Sequence, residues 1–224
     1  MSTVPRVVSI EQLAVDTAAG LVAEVLIAGG VALIPTDTVY GLAVLASGPG
    51  AVGALARIKG RDPNKPVAVL VASPAQGLDL FDRPDRAMVR LATALWPGPL
   101  TLVAPAGDRA PAPVVAATGS IGVRCPDDRL VRRVAELVGP LAVTSANPAG
   151  DEPLVRLGDL AALTARWPAL DEASLVVDGG PLPGTASTVV EVPAAAGGPT
   201  GPRVLRTGPI DAGTIAELWR GSVK

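Results

Sequence analysis

Val31-Ala32-Leu33-Ile34-Pro35-Thr36-Asp37-Thr38-Val39-Tyr40-Gly41-Leu42 is the stretch on which the reading of this chain turns. Its first four residues are a short apolar run of the kind that forms a buried strand. Pro35 has no N–H to give a ladder, so it ends the strand and holds the following residues on an extended path. Thr36, Asp37 and Thr38 then set two hydroxyls and a carboxylate at the strand end. Two readings are open at this point: a turn whose Thr and Asp side chains satisfy their own backbone, or one wall of a site.

Outward from this stretch, helical and strand patterns interleave. Upstream, Ser9-Ile-Glu-Gln12 reads as a capping box opening a helix with Ala14, Ala18, Leu21, Val22 and Val25 on one face, stopped by Gly29-Gly30. Downstream, strands are expected at 42–46, 67–71, 100–104, 121–124, 141–144, 174–177, 187–192 and 203–206. Helices are expected at 50–58, 84–96, 128–138, 157–165 and 211–220, and the Gly/Pro/Ala stretch 193–202 as a flexible loop. The 84–96 pattern carries Met88, Leu91, Ala92, Leu95 and Trp96 at helical spacing before Trp96-Pro-Gly-Pro99 breaks it. Without strict βαβ alternation the expected class is α/β with a mixed sheet. The 224 residues suit one domain, with 1–208 as its catalytic body and 209–224 as a helical tail of that same domain.

Composition narrows the chemistry. With 49% hydrophobic and 18% charged residues the chain folds around a core, one that must be built from Val, Leu, Ala and Ile because aromatics are few. The formal net charge of −2 gives no global basic field for nucleic acid. No run is long enough to span a bilayer and the N-terminus lacks a signal-peptide pattern, so a cytoplasmic protein without membrane contact is expected. The chain has no histidine and one cysteine, Cys125. Histidine-based nucleophilic triads are thereby excluded, and a tetrahedral N/S zinc site cannot be filled. What remains is chemistry by Lys, Arg, hydroxyls, carboxylates and oxygen-bound Mg²⁺, an inventory suited to phosphate.

Several segments offer such groups. Lys59-Gly-Arg61-Asp-Pro-Asn-Lys65-Pro66 puts three cations between a helix end and a strand, either as a phosphate-binding loop or as a basic helix terminus that suits the dipole. Gly122-Val-Arg124 puts an Arg at the end of an apolar strand, four residues after Ser120. Leu141-Ala-Val-Thr-Ser145-Ala-Asn147 repeats the design of the opening stretch, and Ser187-Thr188 and Arg206-Thr207 flank two further strands. Together these polar strand ends point to one rim lined with hydroxyls and cations. Gly48-Pro-Gly50-Ala-Val-Gly53 matches G-x-G-x-x-G, yet lacks a well-placed acidic residue downstream and reads as a Gly/Pro loop opening a helix.

Pro35-Thr-Asp-Thr-Val-Tyr-Gly-Leu42, Lys59-Gly-Arg61, Trp96-Pro-Gly-Pro-Leu-Thr-Leu102, Gly122-Val-Arg124, Ser145-Ala-Asn147, Ser187-Thr-Val-Val190 and Leu205-Arg206-Thr-Gly208 occur in this order. In them the chain resembles the YrdC/Sua5 family of L-threonylcarbamoyladenylate synthases over about residues 9–208. The resemblance implies a twisted, mostly open sheet with flanking helices around a positively charged cavity. It implies that L-threonine, bicarbonate and ATP give threonylcarbamoyl-AMP and pyrophosphate, the first step toward tRNA t6A at position 37, with a transferase complex acting next. It assigns Lys59, Arg61 and Arg206 to the triphosphate, with Mg²⁺ arriving on ATP and no dedicated metal site. Ser120, Ser145 and Asn147 would orient ATP, Thr36 would lie near the threonine, Arg124 would take its carboxylate, and Ser187 would share the rim. Three departures stand out. About 16 residues follow Gly208, as in the short type; Pro148-Ala-Gly-Asp-Glu-Pro153 lacks a serine that some members carry after Ser-x-Asn; and the His some members have near the substrate loop is missing. The competing readings are a same-fold paralogue without this activity, a module binding tRNA or double-stranded RNA, and a carbamoyl-transfer domain like those of hydrogenase maturation factors. The intact Lys-x-Arg and Ser-x-Asn pairs, the net charge and the lack of zinc-type cysteines argue against each in turn.

Overall fold

The structure is a computed structural model, described here for residues 5–193 and 201–221. Most of the loop expected at 193–202 lies outside the described residues. The strands are β1 (Arg6–Ser9), β2 (Val31–Ile34), β3 (Gly41–Leu45), β4 (Ala68–Leu70), β5 (Leu100–Pro105), β6 (Ser120–Arg124), β7 (Leu141–Ser145), β8 (Ala173–Asp178), β9 (Thr188–Glu191) and β10 (Arg203–Arg206). They form one sheet in the order β1-β8-β2-β3-β7-β4-β6-β5-β9-β10. The β1/β8, β2/β8, β4/β6 and β5/β9 pairs are parallel and the other neighbours antiparallel, which makes the sheet mixed, as expected. The helices are α1 (Val15–Ile27), α2 (Ala51–Lys59), α3 (Pro74–Leu78), α4 (Arg86–Leu95), α5 (Arg129–Val138), α6 (Leu160–Arg166) and α7 (Ala212–Arg220).

Period-two alternation along the strands sorts side chains onto the two faces. Leu33, Leu42, Val44, Val69, Leu100, Leu102, Val123 and Val190 point to the face covered by α2, α4, α6 and α7. These helices contribute Leu55, Ile58, Met88, Leu91, Leu163 and Ile215 to that core. The other face carries Ala32, Ile34, Ala43, Leu141, Leu175 and Val177 beneath α1 and α5. Ala18, Ala19, Val22 and Leu26 of α1 meet Leu130, Val131 and Val134 of α5 there. Each large aliphatic side chain removed from water in these layers contributes about 1.5–3 kcal/mol. α1 and α5 cover their face from β1 only as far as β4, and the remainder carries the site.

Three expectations change. Ser9 does not cap α1: it closes β1, which pairs with β8, and its Oγ accepts from the Glu11 amide in the turn that follows. α1 starts six residues later with Ala14 as its N-cap and no side-chain cap. The β-branched pair Val7-Val8 suits this strand. The second is α3, too short to show periodicity, which is opened by Ser73 accepting from the Gln76 amide. The third concerns the core, which is aliphatic but not only so: Tyr40, Phe81, Trp96 and Trp167 are all buried in it. The C-terminal helix α7 packs on α4, where Arg90 donates to the last carbonyls of the helix, Leu218 O at 3.1 Å and Trp219 O at 2.5 Å. Among the described residues no helix is long and apolar enough to cross a membrane.

Candidate functional site

A basin of about 420 Å³ opens where the α1/α5 cover ends, within the range of small-molecule sites. The β2–β3 connection, the end of α2 and the β4, β5, β6, β7, β9 and β10 strands all contribute to its lining. Of the predicted site residues, Thr36, Lys59, Arg61, Ser120, Arg124, Ser145, Ser187 and Arg206 are brought together in it. The lining holds four cationic side chains and no carboxylate.

The opening stretch serves both of its readings at once. Thr36 Oγ1 donates to Val39 O (2.7 Å) and accepts from the amides of Thr38 (3.1 Å) and Val39 (3.3 Å), so its one proton is spent inside its own turn. That turn nevertheless forms basin wall, with Thr36, Thr38, Val39 and Tyr40 in the lining. Tyr40 pins it: its hydroxyl donates to Gly180 O (2.8 Å) and accepts from the Gly179 amide (2.9 Å). Burial, with the nearby Asp178 carboxylate adding to it, pushes this phenol up to about 12. Asp37 faces Arg124 instead of the basin.

Arg124 is buried, and its fork is largely committed inward. Nε donates to Gly98 O (3.0 Å), Nη1 to Thr38 Oγ1 (3.0 Å) and Nη2 to Asp37 Oδ1 (2.5 Å). Asp37 Oδ2 also accepts from the Asp127 amide at 3.1 Å. The Arg124 charge is therefore compensated before any ligand arrives, and two of its five N–H groups remain for the basin. The carboxylate role expected of Arg124 would have to use those two.

Lys59 ends α2, and Gly60, with φ +62°, turns the chain so that Lys59 and Arg61 reach the same basin. Lys59 Nζ donates to Ser145 O (2.7 Å), Ser145 Oγ (3.2 Å) and Asn147 Oδ1 (2.7 Å). Burial, reinforced by Arg61, lowers its pKa to about 8. Asn147 is the one predicted site residue outside the lining. Its Oδ1 also accepts from Ser145 Oγ (2.7 Å), and its Nδ2 donates to Pro148 O and Asp151 O, both at 2.8 Å. The amide thus holds Lys59 from behind. Pro148–Asp151, in the segment that lacks the serine of some family members, supplies the carbonyls that hold Asn147.

Arg61 has a buried Nε without a hydrogen-bond partner, and burial lowers its pKa. Lys65, the third cation of that loop, does not line the basin and only offers its carbonyl to Arg61 Nη2 at 3.4 Å. On the far side, Arg206 Nε donates to Ser187 O and Nη2 to Ser187 Oγ, each at 3.0 Å. The chain after Arg206 lies directly on the β9 start: a Cβ on Gly208 would fall 2.5 Å from Ala186 O. Burial, then Arg124, lowers the Arg206 pKa. Ser120 Oγ bonds Thr118 Oγ1 at 2.8 Å. Residues 48–53 open α2 and line no part of the basin.

Thr101 and Thr144 are lining hydroxyls to which the sequence reading gave no role, and Thr38, which it placed at the strand end, lines the basin as well. Thr101 had a signal: in Leu100-Thr-Leu-Val103 it is the polar member of an alternating strand. Cations stripped of part of their hydration, with no carboxylate in the lining, give the basin a chemistry suited to anionic groups.

Comparison with known proteins follows the same lines. The family model of the Sua5/YciO/YrdC domain, described as telomere recombination, matches residues 24–208. A Mycobacterium tuberculosis protein provisionally named a threonylcarbamoyl-AMP synthase is 38% identical over 194 residues, 85% of this chain and 84% of its own. The threonylcarbamoyl-AMP synthase of Bos taurus is 39% identical over 157 residues, 69% of this chain and 54% of its own. The crystal structure of P. abyssi Sua5 complexed with L-threonine superposes with a TM-score of 0.76 at 28% identity, covering 96% of this chain and 61% of that one. The chain thus spans about three fifths of Sua5 and about half of the bovine protein.

Proposed function

Because the chain belongs to the Sua5/YciO/YrdC family, we propose that it is a threonylcarbamoyl-AMP synthase. The overall change is L-threonine + bicarbonate + ATP → threonylcarbamoyl-AMP + pyrophosphate + water. The threonine ammonium gives up a proton, which the departing pyrophosphate takes up, and the free amine and bicarbonate form a carbamate and water. A carbamate oxygen then attacks the α-phosphorus, the bond to the β-phosphate oxygen breaks, and pyrophosphate leaves. An anionic nucleophile must approach a polyanion, so the demand on the protein is charge neutralisation and alignment. The single observation that carries the reading is the lining itself: four cations and no carboxylate around a basin of about 420 Å³.

In this reading Lys59, Arg61 and Arg206 hold the triphosphate. Asn147 serves the nucleotide by fixing Lys59 and Ser145, while Ser120 and Ser145 orient it. The wall of Thr36 and Thr38 faces threonine, with the free N–H groups of Arg124 toward its carboxylate and Ser187 on the shared rim. Mg²⁺ enters as part of the substrate, since the lining offers hydroxyls and cations instead of carboxylates. The protein would work in the cytoplasm and pass its product to a tRNA-threonylcarbamoyl transferase complex. Direct binding of tRNA or double-stranded RNA is the weaker alternative, because the net charge is −2.

The test is pyrophosphate release by the purified protein with ATP, bicarbonate and L-threonine, each omitted in turn. All three should be required. Release without L-threonine, or none at all, would remove the proposal.

A further inference from the structure

Thr101 is buried beside the basin, with its methyl toward Gly122 and its hydroxyl toward Ser187. Thr101 Oγ1 and Ser187 Oγ lie 2.9 Å apart, and Ser187 Oγ also accepts from Arg206 Nη2 at 3.0 Å. Among the described residues neither hydroxyl makes any other hydrogen bond. Two hydroxyls carry two hydrogens, and the contact between them uses one. Whichever way that bond runs, one hydrogen is left over, and both residues line the basin.

The sheet register fixes what surrounds this hydrogen. Thr101 pairs with Val189, and Val189 with Arg206. On the other side Leu102 pairs with Val123, and extending that antiparallel register by one residue sets Arg124 opposite Thr101. One row across four strands therefore reads Arg124, Thr101, Val189, Arg206, with a cation at each end and the spare hydroxyl hydrogen between them. Arg206 already feels Arg124 as a like charge.

We infer that Thr101 is a further substrate-binding residue: Ser187, which accepts from Arg206, donates to Thr101, and Thr101 donates its own hydrogen to a substrate oxyanion, carboxylate or phosphate, held between Arg124 and Arg206. Arg206 polarises the pair through Ser187, which strengthens the donor. The identity of the oxyanion rests on the proposed reaction; the donor role does not.

The experiment is calorimetric titration of the full chain with two separate probes, L-threonine and the Mg²⁺ complex of α,β-methylene-ATP. Thr101→Val keeps the shape and removes the hydroxyl. It should weaken one probe by about tenfold or more, as for loss of a hydrogen bond to a charged group, and which probe weakens identifies the oxyanion. Thr101→Ser should restore the affinity, and adding Ser187→Ala to Thr101→Val, which removes the remaining hydroxyl and the acceptor of Arg206, should weaken it further. Wild-type affinity for both probes in Thr101→Val, or no rescue by Thr101→Ser, would overturn the inference. If threonine-dependent pyrophosphate release persisted alongside unchanged binding, the proposed reaction would stand and this inference would fall. Weakened binding in a protein whose wild type releases no pyrophosphate would uphold the donor role and remove the proposed reaction. A wild type that binds neither probe would overturn both.

Discussion

One face of the sheet is built in two ways, and β7 passes from one to the other. Leu141 is fully buried beneath α1 and α5, Val143 belongs to that core and also touches the basin, and Ser145 belongs to the rim. β3 makes the same passage from Ala43 under the helices to Gly41 in the basin. The alternation along these strands is unbroken, so the backbone does not distinguish core from site. The difference is the helical cover. Where it is present, the inward residues are aliphatic; where it stops, the same positions carry Thr101, Ser120, Arg124 and Ser145. Substitutions in the covered half should therefore cost stability, and substitutions in the open half should cost activity.

The exception should give the largest effect. Asp37 and Arg124 sit on the open side, yet their side chains are only 12% and 6% exposed. Asp37→Ala strands a buried guanidinium and should destabilise by about 3–5 kcal/mol, read by urea denaturation. An unchanged midpoint would show that this pair does not hold the wall. In the covered half, Leu141→Ala should cost about 2–5 kcal/mol while the folded fraction keeps its kcat/KM. A fall in kcat/KM would mean that the two halves are coupled. In the open half, Lys59→Ala and Arg61→Ala should each lower turnover at least tenfold, about 1.4 kcal/mol. Arg61→Ala should do so without lowering the melting temperature, because its buried Nε has no partner to lose and its Nη2 bond to Lys65 O is long, at 3.4 Å. Unchanged rates would remove both residues from the site.

The smallest effect concerns pH. With a Lys59 pKa of about 8, the ammonium that attracts phosphate is lost as pH rises through that value. Affinity for Mg²⁺–α,β-methylene-ATP should then be about tenfold weaker at pH 9 than at pH 7. Folding has its own sign. A lysine lowered from 10.5 to about 8 binds fewer protons folded than unfolded between those values, so its share of stability rises with pH across that window. Flat binding across it would show that the Lys59 charge is not what the ligand reads.

Most strands and the longer helices were legible because their periodicities are local properties of the chain. The rim was legible as well, since polar groups at the ends of apolar strands need a reason to be there. Which partner each polar group takes was not legible, because it depends on contacts distant in sequence. Arg124 turns to Asp37 across 87 positions, and Lys59 to Asn147 across 88. Ser9 shows the same limit: its pairing with Asp178 of β8 drew it into a strand, whereas four residues taken alone spelled a helix start. Thr101 lies within the stretch from Trp96 to Leu102, but its importance depends on Ser187 and Arg206 beside it.

In the proposed reaction the open half of this face joins a threonine carbamate to adenylate. Following the carbon of labelled bicarbonate tests it most directly. With ATP and L-threonine present, the label should be recovered in a compound containing both threonine and AMP, one for each pyrophosphate released. Pyrophosphate formed without label in such a product, or formed equally well without L-threonine, would contradict the account.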